Sequence, residues 1–215
     1  MYAPFVPRVA ISQYPQSDRE QVRHARHGER QRLSAEAEGL LPPGGSLHRL
    51  SAVAHCPDVA GLVDHPATFP YVWSLLGWNI HVYHSHLDVH PPLAARRPFR
   101  FEWHQDGGRQ NREVETDPRP RLSVKLAYWL SDVSEAGRGN FKIVPGSHLA
   151  NWIPGPPRRD VLWPDPDGAI EVTAAPGDVV LFDRRLWHAR SDNYSTYTRL
   201  KERDLLDPAC PPLRP

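Results

Sequence analysis

Three residues in this chain have the types and spacing for metal chemistry. His104 and Asp106 flank Gln105, and in an extended chain side chains two apart share a face, so imidazole and carboxylate stand together with Gln105 turned away. His188, closing the stretch from Gly177 and Asp178 through Val179–Phe182 to Trp187, is the best third donor. Two imidazoles and one carboxylate cover one face of an octahedron and leave three positions open, as in Fe(II) centres that bind O₂ and a cosubstrate. The same donors also suit zinc with one open position for hydrolysis. His and Asp are common at strand ends, and the chain has 12 histidines, so an H-x-D pattern alone is a weak signal. Arg199 adds a second pattern, eleven positions beyond His188. A guanidinium matches a carboxylate through two parallel hydrogen bonds, which is what holding the far end of 2-oxoglutarate requires.

Elements must carry these groups to one place. Period-two alternation predicts strands over residues 78–88, 99–106, 122–130, 140–144, 169–174 and 179–182, separated by Gly-Pro-Asp turns such as Pro145-Gly146 and Pro176-Gly177-Asp178. Two helices precede most of them. One starts at Pro57 with Val59, Leu62 and Val63 on a face. The other runs from Thr68 to Leu76, with Pro70 in its first turn and Gly77 as its stop. Helices first and many short strands afterwards indicate a mainly β fold, a sandwich or barrel with flanking helices, in a single domain over residues 1–215. Residues 1–40 read as a mobile N-terminal arm, with a docked helix as the alternative, and 200–215 as an irregular tail more like a helix turn than a strand. The stretches 107–121 and 149–168 are long enough to form the mouth or lid of a site.

Bulk properties remove whole classes of partner. Lys and Arg total 26 against 25 Asp and Glu, so no net field attracts nucleic acid or an anionic membrane. Cys56 and Cys210 are the only cysteines, too few for a disulfide scaffold, which favours a reduced, cytoplasmic setting. No apolar stretch at the N-terminus has the length of a signal segment or membrane span. With 24 prolines and a mean hydropathy of −0.56, loops and short elements are expected rather than a helical bundle. Oligomeric state is not legible at this level.

Together, His104-Gln105-Asp106, the run Gly139-Asn140-Phe141-Lys142-Ile143-Val144-Pro145-Gly146-Ser147-His148, Gly177-Asp178, and Trp187-His188 with Asn193 and Arg199 resemble the phytanoyl-CoA dioxygenase family over roughly residues 68–199. The resemblance implies a double-stranded β-helix (jelly roll) and a dioxygenase using Fe(II), 2-oxoglutarate and O₂ to oxidise a small-molecule metabolite, most simply by hydroxylation. It implies His104, Asp106 and His188 as iron ligands and Arg199 as partner of the distal 2-oxoglutarate carboxylate. Retention of Asp106 argues against halogenation, for which this broader group replaces the carboxylate with a small residue. It makes His148 structural, and turns the strand bearing His84, His86 and Asp88 toward the cavity, with Asp88 assigned to the cosubstrate and the two histidines to the substrate. Lys125, on a strand among apolar residues, is expected either to face the cavity as a further cosubstrate contact or to snorkel outward. Arg109 at the mouth and Trp152 in the long loop, with Trp163 nearby, are substrate contacts. Trp103, Trp129 and Trp187 are packing residues. Two departures stand out: Arg190 occupies a position where the family often has a small hydroxyl residue, and the tail after Arg199 lacks an apolar strand. They motivate a rival reading, a non-catalytic jelly roll that binds a small ligand; a zinc hydrolase is a third.

Overall fold

A computed structural model of the chain describes residues 10–13, 18–55, 62–93, 103–117, 119–120, 122–151 and 165–202. Nine strands, β1 (Ala10–Gln13), β2 (Leu47–Leu50), β3 (His86–His90), β4 (Val124–Tyr128), β5 (Phe141–Ile143), β6 (Ile170–Val172), β7 (Asp178–Asp183), β8 (His188–Arg190) and β9 (Arg199–Glu202), occur among these residues. They pair antiparallel as three ribbons in the orders β1-β7-β4, β2-β3-β9 and β6-β5-β8. The arrangement is a mainly β jelly roll with few helices.

The apolar faces explain the layering. Ala127 of β4 and Trp129 just beyond it meet Phe141 and Ile143 of β5, Val172 of β6, and Val180 and Phe182 of β7 in one buried cluster. Period-two alternation thus aims two ribbons at each other across a shared core. A second cluster joins Leu47, Leu87, Val89, Leu130 and Leu200 beneath the β2-β3-β9 ribbon. On the other side of β4 and β7, Leu62, Tyr128 and Val179 pack together, and the Tyr128 hydroxyl donates to the Leu62 carbonyl at 2.9 Å.

Among the described residues, four α-helices are complete: α1 (Asp18–Ala37), α2 (Ala52–His55), α3 (Phe69–Leu76) and α4 (Gly108–Glu113). α3 matches the helix expected after Thr68, with Pro70 near its start and Gly77 as its C-cap at φ 78°. α1 overturns the expectation of a mobile arm over its range. Gly28 lies so close to β9 and β3 that an added Cβ would stand 2.3 Å from Leu200 Cδ2 and 3.4 Å from Val89 Cγ2. Its polar composition is partly spent within the helix, where Arg32 pairs with Glu29 at 2.8 Å and Glu36 at 2.6 Å.

Further boundaries shift for physical reasons. The strand expected over 78–88 begins only at His86, because β2 and β9 supply partners for residues 86–90 alone. β2 stops just before Ser51, which adopts φ 57° and donates its backbone N–H to the Ser85 carbonyl at 2.7 Å. The tail expectation fails at its start, since residues 199–202 form β9. The segment 107–121 is not wholly irregular, as α4 occupies its first part. Most of the helix placed at Pro57, part of the strand over 99–106, and Trp152 and Trp163 lie outside the described residues.

Candidate metal and cosubstrate site

His104 and His188 face each other through a narrow backbone bridge. The His104 N–H donates to the His188 carbonyl at 3.0 Å, and the His188 N–H returns a bond at 2.9 Å. Asp106 is fixed next, its N–H donating to the Arg184 carbonyl at 3.0 Å. Gln105 points away as the alternation requires, and its amide donates to the carbonyls of Ala150 at 2.9 Å and Arg185 at 2.5 Å. The dipeptide step between the two ligands is therefore a clamp for the surrounding loops.

The donor atoms of His104, Asp106 and His188 lie within 4.8 Å of one another. His104 Nε2 is 3.9 Å from Asp106 Oδ1, and His188 Nε2 is 3.5 Å from Asp106 Oδ2. His188 sits against Phe141 and Phe182, with ring centroids 5.4 and 5.5 Å away. Its Nδ1 lies 2.7 Å from the Leu186 carbonyl, which only accepts, so Nδ1 carries the proton and Nε2 presents a lone pair. Burial, reinforced by the neighbouring His104, pushes the His188 value down to about 3. Burial would raise the Asp106 carboxyl, but the adjacent His188 ring and the Lys125 ammonium outweigh it and hold the group below its ordinary range. A neutral imidazole nitrogen and an ionised carboxylate thus aim lone pairs at the same point, an arrangement completed by a cation.

Cationic groups surround the triad in a cavity of about 470 Å³. Lys125 of β4 reaches across to place Nζ 2.6 Å from Asp106 Oδ2. Arg199 of β9 lines the cavity and is 1 % exposed. Its guanidinium lies over the Trp129 ring, 4.8 Å from the centroid. Gly139 makes room for its stem, since a Cβ there would sit 3.3 Å from Arg199 Cγ. Arg190 of β8 also lines the cavity; burial lowers its pKa against the pull of Asp88 and Asp192.

The opposite wall comes from β3 and β2. His84, His86, Asp88 and His90 line the cavity, together with His48. Asp88 accepts from His48 Nδ1 at 2.5 Å and lies 3.4 Å from His86 Nε2. Burial opposes ionisation of Asp88, yet the hydrogen bonds from His48 and His86 hold it well below the usual carboxylate range. Asp88, expected at the cosubstrate, lines the cavity with both oxygens turned to these two rings.

The remaining expectations divide. Arg109 does not line the cavity; its side chain is 85 % exposed on α4 and pairs with Glu113 at 2.6 Å. Trp103, Trp129 and Trp187 are buried packing residues, as expected. His148 is buried and apart from both histidine clusters. His48 was not singled out from the sequence. Its only signal is alternation in Leu47-His48-Arg49-Leu50, where Leu47 and Arg49 are buried and His48 and Leu50 are exposed.

Among solved structures, the chain resembles EctD from S. alaskensis with bound Fe at a TM-score of 0.63 and 20% identity, covering 89% of this chain and 69% of that one. HygX from Streptomyces hygroscopicus, with nickel, 2-oxoglutarate and hygromycin B bound, superposes at a TM-score of 0.60 and 17% identity, covering 89% and 79%. Among curated proteins, the ectoine dioxygenase of Sphingopyxis alaskensis is 25% identical over 173 residues, covering 71% of this chain and 51% of the relative. The chain thus spans about half the length of the curated relative it matches. A family model, phytanoyl-CoA dioxygenase (PhyH), matches residues 10–200, and with that coverage the chain belongs to the phytanoyl-CoA dioxygenase family.

Proposed function

We propose that this chain is an Fe(II)- and 2-oxoglutarate-dependent dioxygenase that oxidises, most simply hydroxylates, a small-molecule metabolite. The observation that carries the reading is the convergence of His188 Nε2, His104 Nε2 and the Asp106 carboxylate in a cavity that also holds Arg199 and Lys125. The donor set fits a divalent iron, with three positions left for exogenous ligands. Membership of the family supports it, as do relatives solved with Fe and with 2-oxoglutarate.

When bound, iron supplies O₂ activation coupled to oxidative decarboxylation of 2-oxoglutarate to succinate and CO₂, with oxidation of a substrate C–H bond. The protein's own part is placement. His104, Asp106 and His188 hold the metal, with the His188 tautomer set by the Leu186 carbonyl. Arg199 receives the distal carboxylate of 2-oxoglutarate as a planar fork, in a setting too dry for water to compete easily. Lys125 adds a point charge beside Asp106, within reach of anionic ligands at the metal. Phe141 and Phe182 wall the iron-binding ring of His188 from solvent. His84 and His86 face the space left for substrate. Asp88 and Arg109 are not included in these roles.

No helix among the described residues is long and apolar enough to cross a membrane. The two cysteines fit a reduced, cytoplasmic enzyme. Anaerobic addition of Fe(II) and 2-oxoglutarate tests the reading directly, because their chelate absorbs visible light. The expected result is that band, followed in air by substrate-dependent succinate release. Absence of the band together with no retained iron would overturn it.

A further inference from the structure

We propose that His48, His86 and Asp88 form a second divalent transition-metal site in the same cavity, sharing no residue with the His104–Asp106–His188 triad. Strand pairing builds it. His48 of β2 stands opposite Asp88 of β3 in register, and His86 lies two residues before Asp88 on the same strand face. Cross-strand neighbours and period two thus bring two rings and a carboxylate to one patch. Their donor atoms lie within 4.8 Å of one another, and the two rings are 4.7 Å apart between centroids.

The atoms present suit a borderline ion such as Zn²⁺, Co²⁺ or Ni²⁺. Asp88 offers one oxygen 2.5 Å from His48 Nδ1 and the other 3.4 Å from His86 Nε2. Behind the patch, His84 Nε2 lies 2.9 Å from His86 Nδ1. With the proton on His86 Nδ1 donated to His84, His86 Nε2 presents its lone pair toward Asp88, the support that metal-bound histidines receive from a neighbouring acceptor. A metal there replaces the proton that His48 Nδ1 otherwise shares with Asp88; that proton goes to solvent from an imidazolium and moves to Nε2 in a neutral ring. Access is open: the His48 side chain is 54% exposed, against 9% for His188. The second site therefore occupies the outer wall of the cavity, and its open coordination positions offer a substrate an anchoring point for an anionic or hydroxyl group.

The site does not depend on iron at the triad, and the test separates the two. The full chain is stripped of metal, dialysed to equilibrium against Zn²⁺ and counted for bound metal by mass spectrometry, with a thermal melt on each variant to verify folding. About two equivalents are expected for the unaltered chain, one per cluster. His48→Ala, at a largely exposed position, should lower this to about one, as should Asp88→Asn, which keeps the side-chain shape. His104→Ala should also leave about one equivalent, and His48→Ala with His104→Ala close to none. One equivalent in the unaltered chain, undiminished by His48→Ala, would overturn the proposal, as would two equivalents that neither His48→Ala nor Asp88→Asn reduces. In those cases His48 and Asp88 form a proton-shared ion pair only.

Discussion

Lys125 Nζ lies 2.6 Å from Asp106 Oδ2, while the other carboxylate oxygen faces His104 at 3.9 Å. One side of the carboxylate thus serves an ammonium and the other an imidazole. Lys125 stands opposite Phe182 in the β4–β7 register, so the strand that carries the cation also backs the wall behind His188. The pairing means that a metal binds Asp106 in competition with a neighbouring cation. Once the metal is in place, the ammonium is a ready partner for an anionic ligand.

Lys125→Met therefore separates two roles. Removing a competing cation should leave Fe(II) affinity unchanged or raised. A charge-assisted contact is worth about 1.5–3 kcal/mol, so 2-oxoglutarate affinity should fall by about tenfold or more. Anaerobic titrations followed by the visible chelate band measure both. Loss of iron with unchanged cosubstrate affinity would assign Lys125 to the metal centre instead.

Arg199→Lys tests the fork. The substitution keeps the charge but loses the planar pair of donors and the broad contact over Trp129. The expected result is a rise of about tenfold to a hundredfold in the KM for 2-oxoglutarate, with Fe(II) stoichiometry intact. An unchanged KM would show that another cation, Arg190 being the nearest in kind, holds the distal carboxylate.

Why the triad was legible and the opposite wall was not follows from sequence distance. His104-x-Asp106 is local, and period two alone puts both groups on one face. His188 opens β8, just beyond the strand β7 that Gly177-Asp178 and an apolar run announce. His48 meets Asp88 only through the pairing of β2 with β3, which no local pattern encodes. β9 was missed because it is an edge strand in β2-β3-β9. Arg199-Leu200-Lys201-Glu202 is mostly charged in sequence, and Leu200 alone is an apolar signal. α1 was misread because polarity was taken for lack of anchoring, whereas Gly28 allows close approach to Leu200 and Val89. Arg109 followed the motif closely in sequence, but α4 turns it outward to Glu113.

The buried His188 makes the metal-free protein sensitive to acid. Its folded value, about 3 against an ordinary 6.5, means that the unfolded chain takes up this proton far more readily. The stability contributed by neutral His188 is complete above about pH 6.5 and drains away as pH falls toward 3, at about 1.4 kcal/mol for each unit. Asp106, whose value is lowered from 3.8, acts in the same direction but only at still lower pH. His48, raised by its hydrogen bond to Asp88, has the opposite sign, losing its contribution as pH rises above 6.5. Chemical denaturation of the metal-free chain between about pH 7 and 5 should show falling stability. His188→Gln should flatten that slope; an equally steep slope in the variant would place the acid sensitivity elsewhere.

Gly139 and Gly137 allow backbone strain to be separated from crowding at the cosubstrate site. Both adopt positive φ, 75° and 79°, so alanine at either position should cost about 1–2 kcal/mol from the left-handed backbone alone. Their surroundings differ. A Cβ at Gly139 would lie 3.3 Å from Arg199 Cγ and 3.4 Å from its Cδ, whereas at Gly137 the nearest atom is Tyr194 Cδ2 at 3.8 Å. Gly139 is also held by its N–H donating to the Asp192 carbonyl at 3.0 Å, which limits retreat of the backbone. The methyl must therefore displace the stem of Arg199, and a shift at the stem is carried to the guanidinium. Gly137→Ala should lower the melting temperature while leaving 2-oxoglutarate affinity unchanged. Gly139→Ala should lower the melting temperature by a similar amount and also weaken 2-oxoglutarate severalfold. Equal effects of the two substitutions on cosubstrate affinity would show that the position of Arg199 does not govern binding, because strain is common to both and only the contact differs.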